Sequence, residues 1–529
     1  MADPIPKTSV PTHAERWPRA AVCAAAALVV LAVALRLIPG PHIGDDAYIT
    51  FKYVRNLASG LGFTYNPGER VLGTTTPLYT LLLTALFLLL GRFGASVITI
   101  SCVLNALLDG ANALLLARLG ARLTGSRAVG LLCAAVWALS DVSIAVSLSG
   151  METPLYVFLI LSTILLFLAG RTVAAALTCS LAVLTRPDGL LLALALVGYL
   201  SLRERRRLLL PLAAGLAAFA PWLVFSLLYF GSPIATSVLA KNVVYLIPPA
   251  EAVRQFAHHW TTLIGLNLYG RPAYLVALVL FALWLWGLAT TLRRGARTAT
   301  VFLFPVLYLT AFALANKPMF RWYVVPLEPF YLLGLGAALH RLLGLPSAIS
   351  RRRMAHAGLV VIVAAVLCAR ALSLNLLPDP GRAWLTPKRV QLDREQLYAR
   401  VAADINRSFP IDPHTTIATP EIGAFGYHSR ARILDTTGLV SPEAIAYYPI
   451  DPALCPECNY AISPDLVRDL KPEMVLALEI FIRHSLLPNE WFDANYTLAM
   501  PPYHTDTFGS KGLLLFRRRD WPASTAANH

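Results

Sequence analysis

Two adjacent carboxylates, Asp45 and Asp46, sit in Gly44-Asp45-Asp46-Ala47-Tyr48, at the start of the polar stretch with the densest set of functional groups in the chain. A hydroxyl becomes a nucleophile when a base takes its proton, and a carboxylate within hydrogen-bond reach supplies that base. The same pair suits a divalent cation held through oxygen ligands. It also suits a plain helix cap, because Asp is favoured at a helix N-terminus. The residues after it read as a short helix to Leu57 carrying Lys52 and Arg55. Further charged groups stand in or beside apolar runs: Glu152, Arg186, Asp188, Lys241, Lys317 and Arg321. A charge at membrane depth is costly and is read by default as functional. An Arg186–Asp188 ion pair that only shapes its turn is the alternative.

The elements that position these groups are membrane elements. Of 529 residues, 57% are hydrophobic and only 14% charged, against about 25% charged in soluble chains. Runs such as Ala21–Pro39 and Leu208–Phe230 reach the roughly 20 apolar residues that cross a bilayer. The net charge of +15 does not indicate a nucleic-acid partner, because its arginines punctuate the apolar runs. Arg118, Arg122 and Arg127, then Arg203 and Arg205 to Arg207, then Arg293, Arg294 and Arg297, then Arg351 to Arg353 mark loops kept in the cytoplasm.

Loop charge yields a topology of about eleven spans. A cytoplasmic tail, 1–20, precedes a membrane domain, 21–376, whose first outer loop, 40–94, carries juxtamembrane helices. Later spans run at about 95–117, 128–147, 153–170, 172–184, 188–202, 208–230, 271–292, 298–315, 322–339 and 357–376. Pro77–Gly91 is short for a span and reads as an interfacial or re-entrant helix, which keeps every arginine cluster inside. The short pair 172–184 and 188–202, broken at Arg186-Pro187-Asp188-Gly189, should line a cavity rather than face lipid. Residues 377–529 change in composition and read as an extracytoplasmic α/β domain. Its strands are Thr416–Ala418, Met474–Leu478 and Leu513–Phe516, and its helix is Arg389–Ile405.

Most cysteines lie in apolar runs, whereas Cys455 and Cys458 form a lone C-x-x-C that a local disulfide explains better than zinc. His258 and His259 read as surface loop residues, and Tyr245, Trp222 and Trp322 as interface anchors.

The stretch from Asp45 to Pro77 contains Tyr48-Ile49, Val54-Arg55-Asn56-Leu57, Asn66-Pro67-Gly68-Glu69-Arg70-Val71 and Thr74-Thr75-Thr76. It resembles the first outer loop of the polyprenyl-phosphate-dependent GT-C glycosyltransferases, in particular the terminal arabinofuranosyltransferases of mycobacterial walls. Four further stretches match in order: Ser149–Thr153, Leu184–Asp188, Ser237–Lys241 and Leu434–Val440 with Pro442. The resemblance implies a mainly α, polytopic GT-C fold in the plasma membrane, with the N-terminus cytoplasmic and the C-terminal domain outside. It implies that Asp45 is the base and Asp46 its partner or a metal ligand. Other cofactors are not implied.

The implied donor is a polyprenyl-phosphate-linked sugar, and the acceptor an envelope glycan, glycolipid or protein. Breaking the sugar–phosphate bond builds charge on the departing phosphate, which fixed cations stabilise. Arg321, Lys317, Lys241, Lys52 and Arg55 are the candidates for that task. Glu152, Arg186, Asp188 and Tyr48 are the substrate-binding candidates. Where that family carries Gly-Gly-Asp before Arg321, this chain has Ala315, Asn316 and Lys317, which leaves the donor sugar open. A transporter or flippase of a lipid-linked sugar, and a non-enzymatic envelope assembly factor, are the rival classes.

Overall fold

A computed structural model describes residues 17–244, 248–263, 270–315, 319–344, 363–377, 383–388, 393–456 and 460–522. Lys317, Asn316, Tyr245, Cys458 and Arg351 to Arg353 lie outside these residues. The chain is mainly helical. In the N-terminal half, α1 (Arg19–Leu37), α2 (Asp45–Ala58) and α3 (Pro77–Leu90) lead into α4 (Val97–Thr124), α5 (Arg127–Ala138) and α6 (Asp141–Leu148). Next come α7 (Thr153–Leu168), α8 (Thr172–Thr185), α9 (Gly189–Arg203), α10 (Leu209–Phe230), α11 (Thr236–Val244) and α12 (Pro249–Thr262). The bundle closes with α13 (Arg271–Leu292), α14 (Ala296–Ala315), α15 (Arg321–Val324), α16 (Glu328–Gly344) and α17 (Val363–Leu372).

Among the described residues, five helical segments are long and apolar enough to cross a membrane, and α5 with α6, bent by 52°, makes a sixth. This is a multi-pass membrane protein. The other expected spans coincide with apolar helices of 10–17 residues, so a count of about eleven rests on these shorter ones. Helix ends follow local chemistry. The Ser96 and Ser126 hydroxyls cap α4 and α5, and Gly125 stops α4 in the left-handed conformation. The helices pack through small residues: a Cβ on Gly130 would overlap the Ala117 carbonyl oxygen across the α4–α5 crossing.

One end of the bundle collects the arginines. Arg294 donates to Thr124 O at 2.7 Å, Arg122 to Leu168 O at 2.6 Å, and Arg297 pairs with Glu204 at 2.5 Å. Deep in the bundle, Arg36 pairs with Asp109 at 2.5 Å and donates to Ser143 Oγ at 2.8 Å. Arg370 pairs with Glu328 at 2.9 Å and with Asp141 at 3.5 Å. All five ionic groups are at most 1% exposed. Asp109 and Asp141 are therefore struts that tie α1, α4, α6, α16 and α17 together.

The C-terminal part holds α18 (Asp393–Ser408), α19 (Ala424–His428), α20 (Pro464–Leu470) and α21 (Glu490–Asn495) around a five-stranded sheet. Its strands are β1 (Thr416–Thr419), β2 (Arg432–Asp435), β3 (Met474–Leu478), β4 (Tyr496–Leu498) and β5 (Leu513–Arg518), in the order β2-β1-β3-β5-β4. Strand β1 runs parallel to both β2 and β3, while β5 is antiparallel to β3 and β4. Strands β2 and β4 are not anticipated from the sequence. Cys455 is disulfide-bonded.

Removing one partner from a buried ion pair leaves an uncompensated charge, at a cost of about 3–5 kcal/mol. Asp109→Ala should lower stability by that amount in thermal or denaturant unfolding of the detergent-solubilised protein. A change under about 1 kcal/mol would show that the Arg36–Asp109 pair is not a strut.

Candidate active site

Gly44 stands at the N-terminus of helix α2, and no side chain caps it. The Asp45 carboxylate instead reaches across to the C-terminal part, where the Gly423 and Ala424 N–H groups donate to Oδ2 and Oδ1 at 3.0 and 2.8 Å. This is a docking contact rather than the helix cap that an Asp pair alone suggests. The approach requires glycine, since a Cβ on Gly423 would overlap the Asp45 backbone carbonyl. Around it, Tyr65 Oη donates to Ile422 O at 2.6 Å, and Asn66 Nδ2 donates to Ile433 O at 2.9 Å. Glu69 pairs with Arg432 at 2.5 Å. The first-loop motif and the Leu434–Val440 motif, far apart in sequence, thus meet at one seam. Within the second, buried Asp435 accepts from the Thr437 and Val440 N–H groups at 2.9 Å each, which sets the loop carrying Leu439. Burial raises the Asp435 pKa to about 6.

Burial also pushes the Asp45 pKa up from 3.8 to about 6, helped by the neighbouring Glu421 charge. Arg394 and the Ala424 N–H pull against that rise. Glu421 accepts from Tyr460 Oη at 2.6 Å and pairs with Arg394 at 3.1 Å. A carboxylate with such a pKa is ionised at neutral pH yet basic enough to take a proton.

Two cavities meet at this seam. One, of about 200 Å³, lies toward the membrane helices and is lined by Thr74, Glu152, Arg186, Asp188, Tyr323 and others. The second, of about 390 Å³, lies toward the sheet and is lined by Asp45, Arg394, Glu421, Phe481 and Phe508 among others. Asp46, Ile49, Lys241, Trp322 and Leu439 line both. In the second cavity, Glu421 follows β1, Leu439 follows β2, and Ile480 and Phe481 follow β3. Open α/β sheets bind ligands at the carboxyl ends of parallel strands, and these three strands are parallel.

The first cavity joins several residues singled out from the sequence. Arg186, only 3% exposed, pairs with Asp188 at 2.7 Å and with Glu152 at 3.4 Å. It also donates to Trp322 O at 3.1 Å, and Tyr308 Oη donates to Asp188 at 2.9 Å. The Arg186–Asp188 pair therefore both shapes the α8–α9 break and lines a cavity. Burial opposes the charge on Lys241, but Tyr323 and Asp46 beside it outweigh that and raise its pKa, so it stays cationic.

Other sequence candidates lie elsewhere. Lys52 is buried over the Tyr65 ring at 4.2 Å, and burial lowers its pKa to about 7. Arg55 donates to Tyr427 O at 2.8 Å, and Tyr48 packs against Phe51 and Tyr427. Arg321 is exposed. None of these four lines either cavity. In the Lys52, Arg55 and Tyr48 cases, α2 turns those positions into the seam. Trp322 is not an interface anchor but a wall of both cavities. The two histidines lie on α12, partly buried, with His259 Nε2 2.7 Å from Met319 O, rather than in a surface loop.

Sequence reasoning missed Glu421 and Arg394. The signal available for Glu421 was its place two residues after a parallel strand and two before a glycine. Nothing in the sequence marks Arg394 among many helix arginines.

The fold matches known structures along nearly its whole length. ArnT of Cupriavidus metallidurans in the apo state aligns over 94% of this chain and 97% of its own, at 12% identity and a TM-score of 0.59. The same protein bound to undecaprenyl phosphate aligns over the same shares at 13% identity and a TM-score of 0.55. The oligosaccharyltransferase of Archaeoglobus fulgidus, tethered with an acceptor peptide, covers 96% of this chain and 75% of its own, at 13% identity and a TM-score of 0.52. These proteins are GT-C glycosyltransferases. The chain has a GT-C fold. Residues 388–522 also match a family model described as a domain of unknown function (DUF8728). No curated protein matches the sequence. Within this GT-C fold, the cavities occupy the seam between the membrane helices and the sheet-bearing part.

Gly423→Ala should push the 420–424 loop off Asp45. Hydrogen exchange of the amides in 420–428 should then quicken by about tenfold or more. Unchanged protection there would contradict the docking contact.

Proposed function

We propose that this protein is an integral-membrane, inverting glycosyltransferase that uses a polyprenyl-phosphate sugar donor and an envelope hydroxyl acceptor. The observation that carries the reading is that Asp46 and Lys241 line both cavities at once, so one small site holds paired acids beside a half-buried cation. Asp45 takes the proton of the acceptor hydroxyl. The freed oxygen attacks the anomeric carbon as the carbon–oxygen bond to phosphate breaks. The electron pair leaves with the phosphate, and Lys241 meets the charge that develops there. Asp46, adjacent to both the base and the cation, holds the sugar between them. Glu152 and the Arg186–Asp188 pair shape the donor cavity.

The arginine-rich end of the bundle supports a cytoplasmic placement for that end, with the N-terminus inside. It supports placing the cavities, the 40–94 loop and the C-terminal domain from about 377 on the opposite, non-cytoplasmic face. About eleven spans fit this arrangement. Among the described residues no group of three or more metal-ligating side chains gathers, and both Asp45 oxygens already accept amide hydrogens. No step is assigned to a divalent cation.

Asp45→Asn removes the base and should lower transfer by about 10²–10⁴-fold while the protein still folds and inserts, with some loss of stability because the amide accepts from only one of the Gly423 and Ala424 N–H groups. In the wild type the base must be ionised, and its folded pKa is about 6. The rate should therefore fall as pH drops through about 6, with a single acid limb. Full activity in Asp45→Asn, or an acid limb near the ordinary carboxylate value, would refute the assignment.

A further inference from the structure

We propose that the 390 Å³ cavity at the strand ends is the acceptor subsite, and that it takes an uncharged saccharide held between two aromatic walls. The inference rests on the glycosyltransferase reading and names the substrate class for the half of the site that faces the sheet. One wall belongs to the C-terminal part: Tyr460 and Phe481 stack at 4.6 Å and 26°, and Phe481 continues to Phe508 at 6.3 Å. The other belongs to the membrane part, where Phe320 and Trp322 stack at 4.8 Å and 8°. Apolar ring faces with a few converging polar groups make an orienting site for a small ligand.

Phe508 is the most telling of these residues. It is 59% exposed, yet its backbone sits at φ 57°, a left-handed conformation that bulky residues rarely adopt. Strain of this kind clusters at ligand clamps. The Arg394 guanidinium lies 5.5 Å from the ring, so the ring stands at the lip of the cavity beside the Arg394–Glu421 pair. The charge of the lining disfavours a phosphorylated acceptor. Three acids, Asp45, Asp46 and Glu421, face two bases, Lys241 and Arg394, and the bases already neighbour those acids. Hydroxyls satisfy such a mixed set, donating to carboxylates and accepting from the guanidinium.

The full-length protein in nanodiscs, applied to an array of neutral, phosphorylated and uronate oligosaccharides, tests this. Neutral glycans should bind, Phe508→Ala should weaken them by about three- to tenfold, and Phe508→Tyr should restore them. Undecaprenyl phosphate should not displace them. Binding only of anionic glycans, no binding of any neutral glycan, equal binding by Phe508→Ala, or displacement by undecaprenyl phosphate would each overturn the proposal. The array reads no transfer, so it separates the two readings. Phe508-dependent binding by a protein that transfers nothing would sink the enzymatic reading and leave the subsite standing. Transfer with an acceptor KM unmoved by Phe508→Ala would sink the subsite alone.

Discussion

A carboxylate withdrawn from water is the interaction on which this structure depends. Asp45 leaves its own helix uncapped and spends both oxygens on the Gly423 and Ala424 amides of a segment nearly four hundred residues away. Burying a charge is costly unless it is hydrogen-bonded, and here the two amides and Arg394 offset that cost while Glu421 adds to it. The outcome is a group that is chemically useful because it is imperfectly satisfied. The same contact joins the membrane helices to the sheet, so the basicity of Asp45 and the closure of the seam are one physical event.

The rest of the architecture serves that seam. Buried ion pairs at Arg36 and Arg370 tie the helices into a fixed frame. Three parallel strands aim their carboxyl ends at the same place from the other side. The two cavities that result are unlike in chemistry. The membrane-side one gathers Lys241, Arg186, Asp188 and Glu152, while the sheet-side one gathers rings and the Glu421–Arg394 pair. A reaction that joins a lipid-phosphate sugar to a hydroxyl needs such a division.

Much of this was legible in the sequence wherever local chemistry or periodicity speaks. The helix after Asp45, the short Pro77 helix, the break at Arg186–Asp188 and the strands β1, β3 and β5 all appear where apolar spacing and turn residues put them. The Asp45–Pro77 and Leu434–Val440 motifs were visible as motifs, and Asn66 and Glu69 tie the first to Ile433 and Arg432, the two residues just before the second. What the sequence does not carry is which faces converge. Lys52 and Arg55 look like phosphate ligands by charge, yet the rotation of α2 buries one against Tyr65 and turns the other to Tyr427. Trp322 looks like a lipid anchor by type but lines both cavities. Glu421 becomes significant only once a parallel sheet sets its strand end against Asp45. Lys317 and Cys458 fall outside the described residues.

The most direct measurement is a cryo-electron microscopy map of the full chain in nanodiscs with a bound polyprenyl phosphate. The account predicts phosphate density in the membrane-side cavity, within hydrogen-bond reach of the Lys241 ammonium and beside Asp46, with the prenyl chain running out between the helices. Phosphate density at the arginine-rich end of the bundle, or anywhere remote from Lys241, would contradict it.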